Sequence, residues 1–140
     1  MLDGTNRLKR ALKAQDTKLA GFWLTTASPT ATEIAAGAGF DWLLIDMEHS
    51  ANELPDVVHH LRAATAGTAE PVVRMPWNEP VLVKRLLDAG ARSLLFPYVQ
   101  NVEEARAAVR ATRYPSDGGV RGHTGSGRAS NYGRNGTYNT

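Results

Sequence analysis

A parallel α/β fold is predicted by three features of this chain. Short continuous apolar runs recur along it, amphipathic helical segments separate them, and the runs begin near residues 20, 41, 71 and 93. That spacing is roughly one right-handed β-α-β unit each time. Continuous rather than alternating hydrophobicity marks strands covered on both faces, as parallel sheets are. Two architectures share the pattern: an open doubly wound sheet and a section of a (β/α)8 barrel.

The elements follow in order. Residues 1–16 read as a short basic amphipathic helix, with Leu8 and Leu12 one turn apart and Arg7, Lys9, Arg10 and Lys13 around them, covering one end of the domain. Residues 20–25 form a short buried strand. Ser28-Pro29 starts a helix that ends at Gly37-Ala38-Gly39, with proline at the first helical position. Residues 40–46 form the second strand. Asn52 is expected to cap a helix with Leu54, Val57, Val58 and Leu61 on one face. Residues 71–75 form the third strand, and Asn78 is expected to cap the helix closed by Ala89-Gly90. Residues 93–96 form the fourth strand. Asn101 and Glu104 make a capping box for the last helix, with Val102, Ala105 and Val109 inward.

Residues 114–140 differ, carrying seven glycines between 118 and 136 and no apolar period. This segment reads as a glycine-rich loop or tail of a single domain, 1–140. Its Gly118-Gly119-Val120-Arg121-Gly122 fits neither nucleotide-binding glycine motif and follows a helix rather than a strand. Four β/α units are about half of a barrel of about 250 residues, so the chain is expected to supply an N-terminal part of one. Half a barrel exposes two sheet edges and apolar helix faces, which favours association of identical chains.

Composition narrows the function. At 42% apolar and 21% charged, the chain is globular rather than disordered. A net charge of +2 with both signs interspersed gives no footprint for nucleic acid. No long apolar run reads as a membrane span or signal peptide. The absence of cysteine excludes disulfides, a thiolate nucleophile and Cys-ligated zinc, and fits a reducing, cytoplasmic compartment.

In either parallel architecture, chemistry gathers at the C-terminal ends of the strands. The first strand ends near Trp23 and Thr25, the second in Asp46-Met47-Glu48-His49, the third at Arg74, and the fourth at Pro97, followed by Gln100. His49 is the natural general base, because imidazole titrates near neutral pH. Arg74 can grip a substrate carboxylate through its planar fork or stabilise an enolate oxygen. Asp46 or Glu48 could orient His49 or hold metal-bound water. For His59 and His60, exposure or core filling outweighs catalysis. His123 could reach the site only as part of a lid. Asp88 sits late in its helix, where the dipole does not favour a carboxylate.

The block Phe40-Asp41-Trp42-Leu43-Leu44-Ile45-Asp46-Met47-Glu48-His49 resembles the signature of the class II, metal-dependent pyruvate aldolases typified by 4-hydroxy-2-oxoheptane-1,7-dioate aldolase. Pro71-Val72-Val73-Arg74, Trp77-Asn78-Glu79-Pro80, Leu86-Leu87-Asp88-Ala89-Gly90, Pro97-Tyr98-Val99-Gln100-Asn101, Glu104-Ala105-Arg106 and Ala111-Thr112-Arg113-Tyr114-Pro115 match further blocks. The resemblance runs from about Leu8 to Tyr132.

It implies a TIM (β/α)8 barrel, of which this chain supplies an N-terminal helix and about four β/α units. It also implies reversible cleavage of 4-hydroxy-2-oxo acids to pyruvate and an aldehyde. In that pattern His49 is the catalytic histidine and Asp88 its carboxylate partner. Arg74 binds the oxo acid, and Asp46 and Glu48 lie near metal-bound water; Trp23, from its place at the first strand end, is expected to contact substrate. A divalent cation, Mg, Mn or Co, holds the enolate, and its Glu and Asp ligands are expected beyond Thr140. Intact members form hexamers.

The family's Tyr-Pro-Pro-x-Gly-x-Arg-Gly is one residue longer here, as Tyr114-Pro115-Ser116-Asp117-Gly118-Gly119-Val120-Arg121-Gly122. Lyases of CoA thioesters or of 2-dehydro-3-deoxy sugar acids, and a non-catalytic half-barrel acting as an interaction protein, are the alternative readings. No lysine sits at a strand end, which argues against a Schiff-base aldolase.

Overall fold

Each of the four helices that follow a strand begins at a side chain placed to satisfy free amide protons. In the computed structural model, which describes residues 6–14, 18–136 and 138, Ser28 Oγ accepts from Ala31 N at the start of α2 (Pro29–Ala36). The next two caps lie one residue later than the sequence suggests. Glu53, not Asn52, is the N-cap of α3 (Leu54–Ala63), and the Asp56 carboxylate reaches back to its N–H. Glu79, not Asn78, caps α4 (Pro80–Asp88) by accepting from Val81 N and Leu82 N. Pro80 sits directly after its cap and Pro55 one position further on, both in the first turn, where a missing N–H costs nothing. Asn52 and Asn78 turn elsewhere, Asn78 to the Glu104 carbonyl.

α5 (Val102–Thr112) carries half of the expected capping box. Asn101 Oδ1 accepts from Glu104 N, while the Glu104 carboxylate returns to Gln100 N and the Asn101 amide. The face assigned to this helix is corrected. Ala108 and Ala111 are buried, whereas Val102, Ala105 and Val109 face outward. The small side chains let α5 sit close to α4, and close approach outweighed the larger apolar area of the valines.

The strands are β1 (Gly21–Leu24), β2 (Trp42–Asp46), β3 (Glu70–Arg74) and β4 (Ser93–Leu95), all parallel, in the order β1-β2-β3-β4. An unreversed order has no switch point. It excludes the doubly wound alternative and leaves four successive units of a (β/α)8 barrel. Leu24, Leu43, Ile45 and Val73 face the helices and pack with Val57, Leu61, Val83 and Leu86 as one core. Burying each such side chain stabilises the fold by roughly 1.5–3 kcal/mol before entropy is counted. β1 is less buried than its composition suggests, with Phe22 and Trp23 both more than two-fifths exposed. It is an edge strand, with β2 on one side only.

The opposite face of the sheet carries three rows in register: Gly21, Trp42 and Glu70; then Trp23, Leu44, Val72 and Ser93; then Asp46, Arg74 and Leu95. Gly21 is required in the first row. A Cβ there would lie 2.0 Å from the Trp42 indole.

α1 (Arg7–Ala14) lies across the N-terminal ends of β3 and β4, held by Arg7–Glu70 at 3.3 Å and by Asn6 Nδ2 donating to Arg92 O and Ser93 Oγ. The rest of the expected N-terminal helix, residues 1–5 and 15–16, lies outside the described residues, as do residues 137, 139 and 140 of the glycine-rich segment. The described part of that segment holds two 3-10 turns, Pro115–Asp117 and Arg128–Ser130. Polar anchors replace the missing apolar period. Arg121 pairs with Asp88, Arg128 Nη1 donates to Ala89 O, and the Ser130 hydroxyl is buried among backbone groups. Among the described residues no helix is long and apolar enough to cross a membrane.

Candidate active site

The third row of the sheet ends in charge. Asp46 and Arg74 occupy the same register position on adjacent strands. Their side chains meet edge to edge, Arg74 Nε on Asp46 Oδ1 at 2.8 Å and Nη2 on Oδ2 at 2.7 Å. The chain then turns at Met47, and Asp46 Oδ1 also accepts from Glu48 N at 2.9 Å and His49 N at 3.4 Å. An aspartate bonding amides two and three residues ahead shapes the turn that presents Glu48 and His49. Glu48 closes on the same guanidinium, Oε2 to Nη1 at 2.9 Å. From the second row, the Trp23 ring lies under the guanidinium carbon at 4.6 Å.

Arg74 is thus gripped on one edge, one corner and one face. Three of its five N–H donors are spent within the cluster, leaving two for a ligand. The edge first expected to take a substrate carboxylate is held by Asp46. A substrate must use the donors that remain on Nη1 and Nη2. The Arg74 guanidinium holds the Asp46 carboxyl below the usual carboxylate range, helped by the Glu48 and His49 amides and opposed by burial. Asp46 in turn raises Arg74 above its ordinary value. Both are charged at neutral pH.

His49 sits beside this cluster with a largely exposed ring, its Nε2 3.6 Å from Glu48 Oε1. That separation is longer than a hydrogen bond. The imidazole is therefore free to turn to a bound ligand. Trp23, Asp46, Glu48, His49 and Arg74 thus gather at the C-terminal ends of three strands.

Asp88 does not join them. α4 runs from the Arg74 end of the sheet back to the N-terminal end of β4. Asp88, its last residue, meets Arg121 there at 2.9 Å. Arg121 lies over the Tyr114 ring at 4.5 Å, and His123 makes an edge contact with the same ring. His123 therefore packs with Tyr114 at the end of α5 and forms no lid over His49. At the site end, Pro97 is buried and Gln100 contributes its backbone N–H to the Glu104 carboxylate.

The carboxylates do not form a cation site. Both Asp46 oxygens and one Glu48 oxygen are bound to Arg74, and no group of three His, Cys, Asp or Glu able to hold a metal occurs among the described residues. These residues do not fit direct ligation of a divalent cation.

Two features escaped the sequence reading. Trp77 and Tyr98 stack at 5.6 Å in the loops after β3 and β4, with Tyr98 at φ +54°. Neither the pairing nor the backbone angle has a sequence signal. Behind Asp46, Asn52 and His60 form a buried polar chain. The signal there was available: His60 lies three residues after Val57 and next to Leu61, on the apolar stripe of α3.

Comparison with known proteins points to one family. Residues 19–133 match the family described as HpcH/HpaI aldolase/citrate lyase. A hydroxypyruvate/pyruvate aldolase of Paraburkholderia phytofirmans is 54% identical over 134 residues, covering 92% of this chain and 51% of its own length. A 4-hydroxy-2-oxo-heptane-1,7-dioate aldolase of Klebsiella pneumoniae is 55% identical over 117 residues, covering 84% and 43%. The crystal structure of an HpcH/HpaI aldolase/citrate lyase family protein from Burkholderia cenocepacia superposes with a TM-score of 0.91 at 48% identity, covering 96% of this chain and 56% of that one. The chain spans about half the length of the relatives it matches.

Proposed function

The chain belongs to the HpcH/HpaI aldolase/citrate lyase family, and we propose that its strand-end cluster binds a 2-oxo acid for carbon–carbon lyase chemistry. The reaction is reversible cleavage of a 4-hydroxy-2-oxo acid to pyruvate and an aldehyde. One observation carries this reading: a guanidinium fixed by Asp46, Glu48 and Trp23 with two N–H donors left over.

The bond changes assign the roles. A base removes the proton of the 4-hydroxyl, the C3–C4 bond breaks, and the aldehyde leaves. The electron pair moves through C3 to the C2 carbonyl, making the pyruvate enolate, which then takes a proton at C3. Arg74 orients the oxo acid and stabilises the charge developing on its oxygens. Its partners prevent it from moving as that charge appears. His49, with its ring free, is the base. Trp23 walls the first strand end and excludes water from one side of Arg74.

A cation of the Mg, Mn or Co type, which the resemblance implies, finds no ligand set among the described residues, and the resemblance places its Glu and Asp ligands beyond Thr140. The resemblance also pairs His49 with Asp88. Within one chain these residues lie at opposite ends of the sheet, so that pairing needs two copies. A homo-oligomer would supply it. We place the enzyme in the cytoplasm, in keeping with a chain that lacks cysteine.

The test is deuterium exchange of the pyruvate methyl group, followed by proton NMR with and without added Mg or Mn. Exchange that disappears in Arg74→Ala supports the proposal. No exchange from the folded chain under any of these conditions favours the non-catalytic half-barrel instead.

A further inference from the structure

The ladder between β1 and β2 has its last residue pair at Leu24 and Ile45. Just beyond it, the side chain of Asn52 takes over. Its Nδ2 donates to Leu24 O at 3.1 Å and to Asp46 O at 2.8 Å, joining the two strand ends that carry Trp23 and Asp46. The Ser50 hydroxyl donates to the same Asp46 carbonyl. Asn52 is itself held from behind, with its Oδ1 2.9 Å from His60 Nε2, and His60 Nδ1 is 2.6 Å from Thr32 Oγ1 on α2. Asn52, His60 and Thr32 are each at least 98% buried.

The chain has one consistent direction. Two backbone carbonyls can only accept, so they fix the Asn52 amide with its nitrogen toward the strands. Its oxygen therefore faces His60, whose Nε2 must carry the proton. Nδ1 is then a lone pair, and the Thr32 hydroxyl donates to it at 2.6 Å rather than to the more distant Ser28 carbonyl at 3.4 Å. Every donor points toward the site, an arrangement in which hydrogen bonds strengthen one another. Burial also holds His60 below its ordinary pKa of 6.5, in keeping with a neutral ring.

We propose that His60 is a positioning residue for this site: as the Nε2-protonated imidazole it orients Asn52, and Asn52 sets the ends of β1 and β2 so that Trp23 and Asp46 grip Arg74. The role deepens the site reading above and does not touch the reacting atoms.

Long-range proton–nitrogen NMR of histidine-labelled protein at pH 7 tests the first half, with the His60 signals identified by their loss in His60→Gln. The Nε2–H tautomer is expected. An Nδ1–H tautomer or a cationic ring overturns the proposal. The second half is read at Arg74 Nε–H and at the Trp23 indole N–H, assigned through Arg74→Lys and Trp23→Phe. Both signals are expected to shift or broaden in His60→Phe and Asn52→Leu. They return toward wild type in His60→Gln, whose amide can donate to Asn52.

Unmoved signals in a folded His60→Phe overturn the role and leave His60 as core filling. Should that variant not fold, Thr32→Val removes only the last hydroxyl and is read at the same two signals, where no change also overturns it. None of these readouts needs substrate. Failure of the aldolase proposal, seen as absent pyruvate exchange, is thus distinct from failure here.

Discussion

Asp46 and Arg74 stand at the same register position of adjacent parallel strands and are joined by two hydrogen bonds of 2.8 and 2.7 Å. They lie 28 residues apart in the chain. The pair is largely withdrawn from water, at 2% and 17% side-chain exposure, so removing either partner would leave an uncompensated buried charge. It shapes the site twice over. It fixes the guanidinium, and through the Asp46 turn it presents Glu48 and His49.

Arg74→Lys keeps the charge but loses the planar fork. A lysine cannot satisfy both Asp46 oxygens and Glu48 together. The variant is expected to lose pyruvate methyl exchange and about 3 kcal/mol of stability, the lower end of the range for breaking a buried pair. Urea unfolding and the exchange assay check the two effects separately. Wild-type stability in the variant would contradict the packing described.

Asp46 has its folded pKa depressed by Arg74. The unfolded chain then binds the proton more readily, so stability from this group is complete above about pH 4 and falls as pH drops through the folded value. Asp46→Asn should be less stable than wild type at neutral pH, and the gap should close in acid. Urea midpoints from pH 2.5 to 7 test this. A gap that stays constant refutes the assigned cause.

His60 has its pKa depressed by burial. The same sign applies: the unfolded state takes up the proton first, and stability declines as pH falls below 6.5 toward the folded value. One such group imposes a slope no steeper than about 1.4 kcal/mol per pH unit. His60→Gln should flatten the decline between pH 6.5 and 5. Parallel curves for the two proteins would show that His60 contributes nothing to it.

Gly21→Ala places a Cβ 2.0 Å from the Trp42 ring, where backbone and indole cannot both stay. A cost of about 2 kcal/mol is expected from overpacking, with a change in the near-ultraviolet signal of Trp42. A variant as stable as wild type would mean that the indole has room to move aside.

Asp88→Asn removes the anionic partner of Arg121, a side chain that is 8% exposed. The loss is about 1–3 kcal/mol, the cost of leaving a buried donor without its partner. Its visible effect is local. The glycine-rich segment, pinned to the end of α4 by Arg121 and Arg128, should become the first site of limited proteolysis. Unchanged protease resistance would count against that anchoring.

The repeat of strand and helix was legible because each element advertises its own period, and the strand ends could be read off directly. Caps were misplaced by one residue at Asn52 and Asn78 because several polar residues in a row can each cap. The inward face of α5 was misread because three valine and alanine positions outweigh two alanines in hydrophobicity, whereas packing distance favoured the alanines. The partner of Asp88 was not legible at all, since it depends on where a segment without apolar period folds back.

The sequence by itself determined the parallel α/β class, the order of its units, and the placing of Trp23, Asp46, Glu48, His49 and Arg74 at strand ends, because local hydrophobic period and chain direction suffice for these. Only the tertiary structure decided that Asp46 takes the fork of Arg74, that Asp88 faces Arg121 away from His49, and that His60 lies behind the site. The first two are contacts between residues 28 and 33 apart in the chain, set by register and packing. For His60 the apolar stripe of α3 signals burial, while its partners Asn52 and Thr32 are set by the packing of α2 against α3.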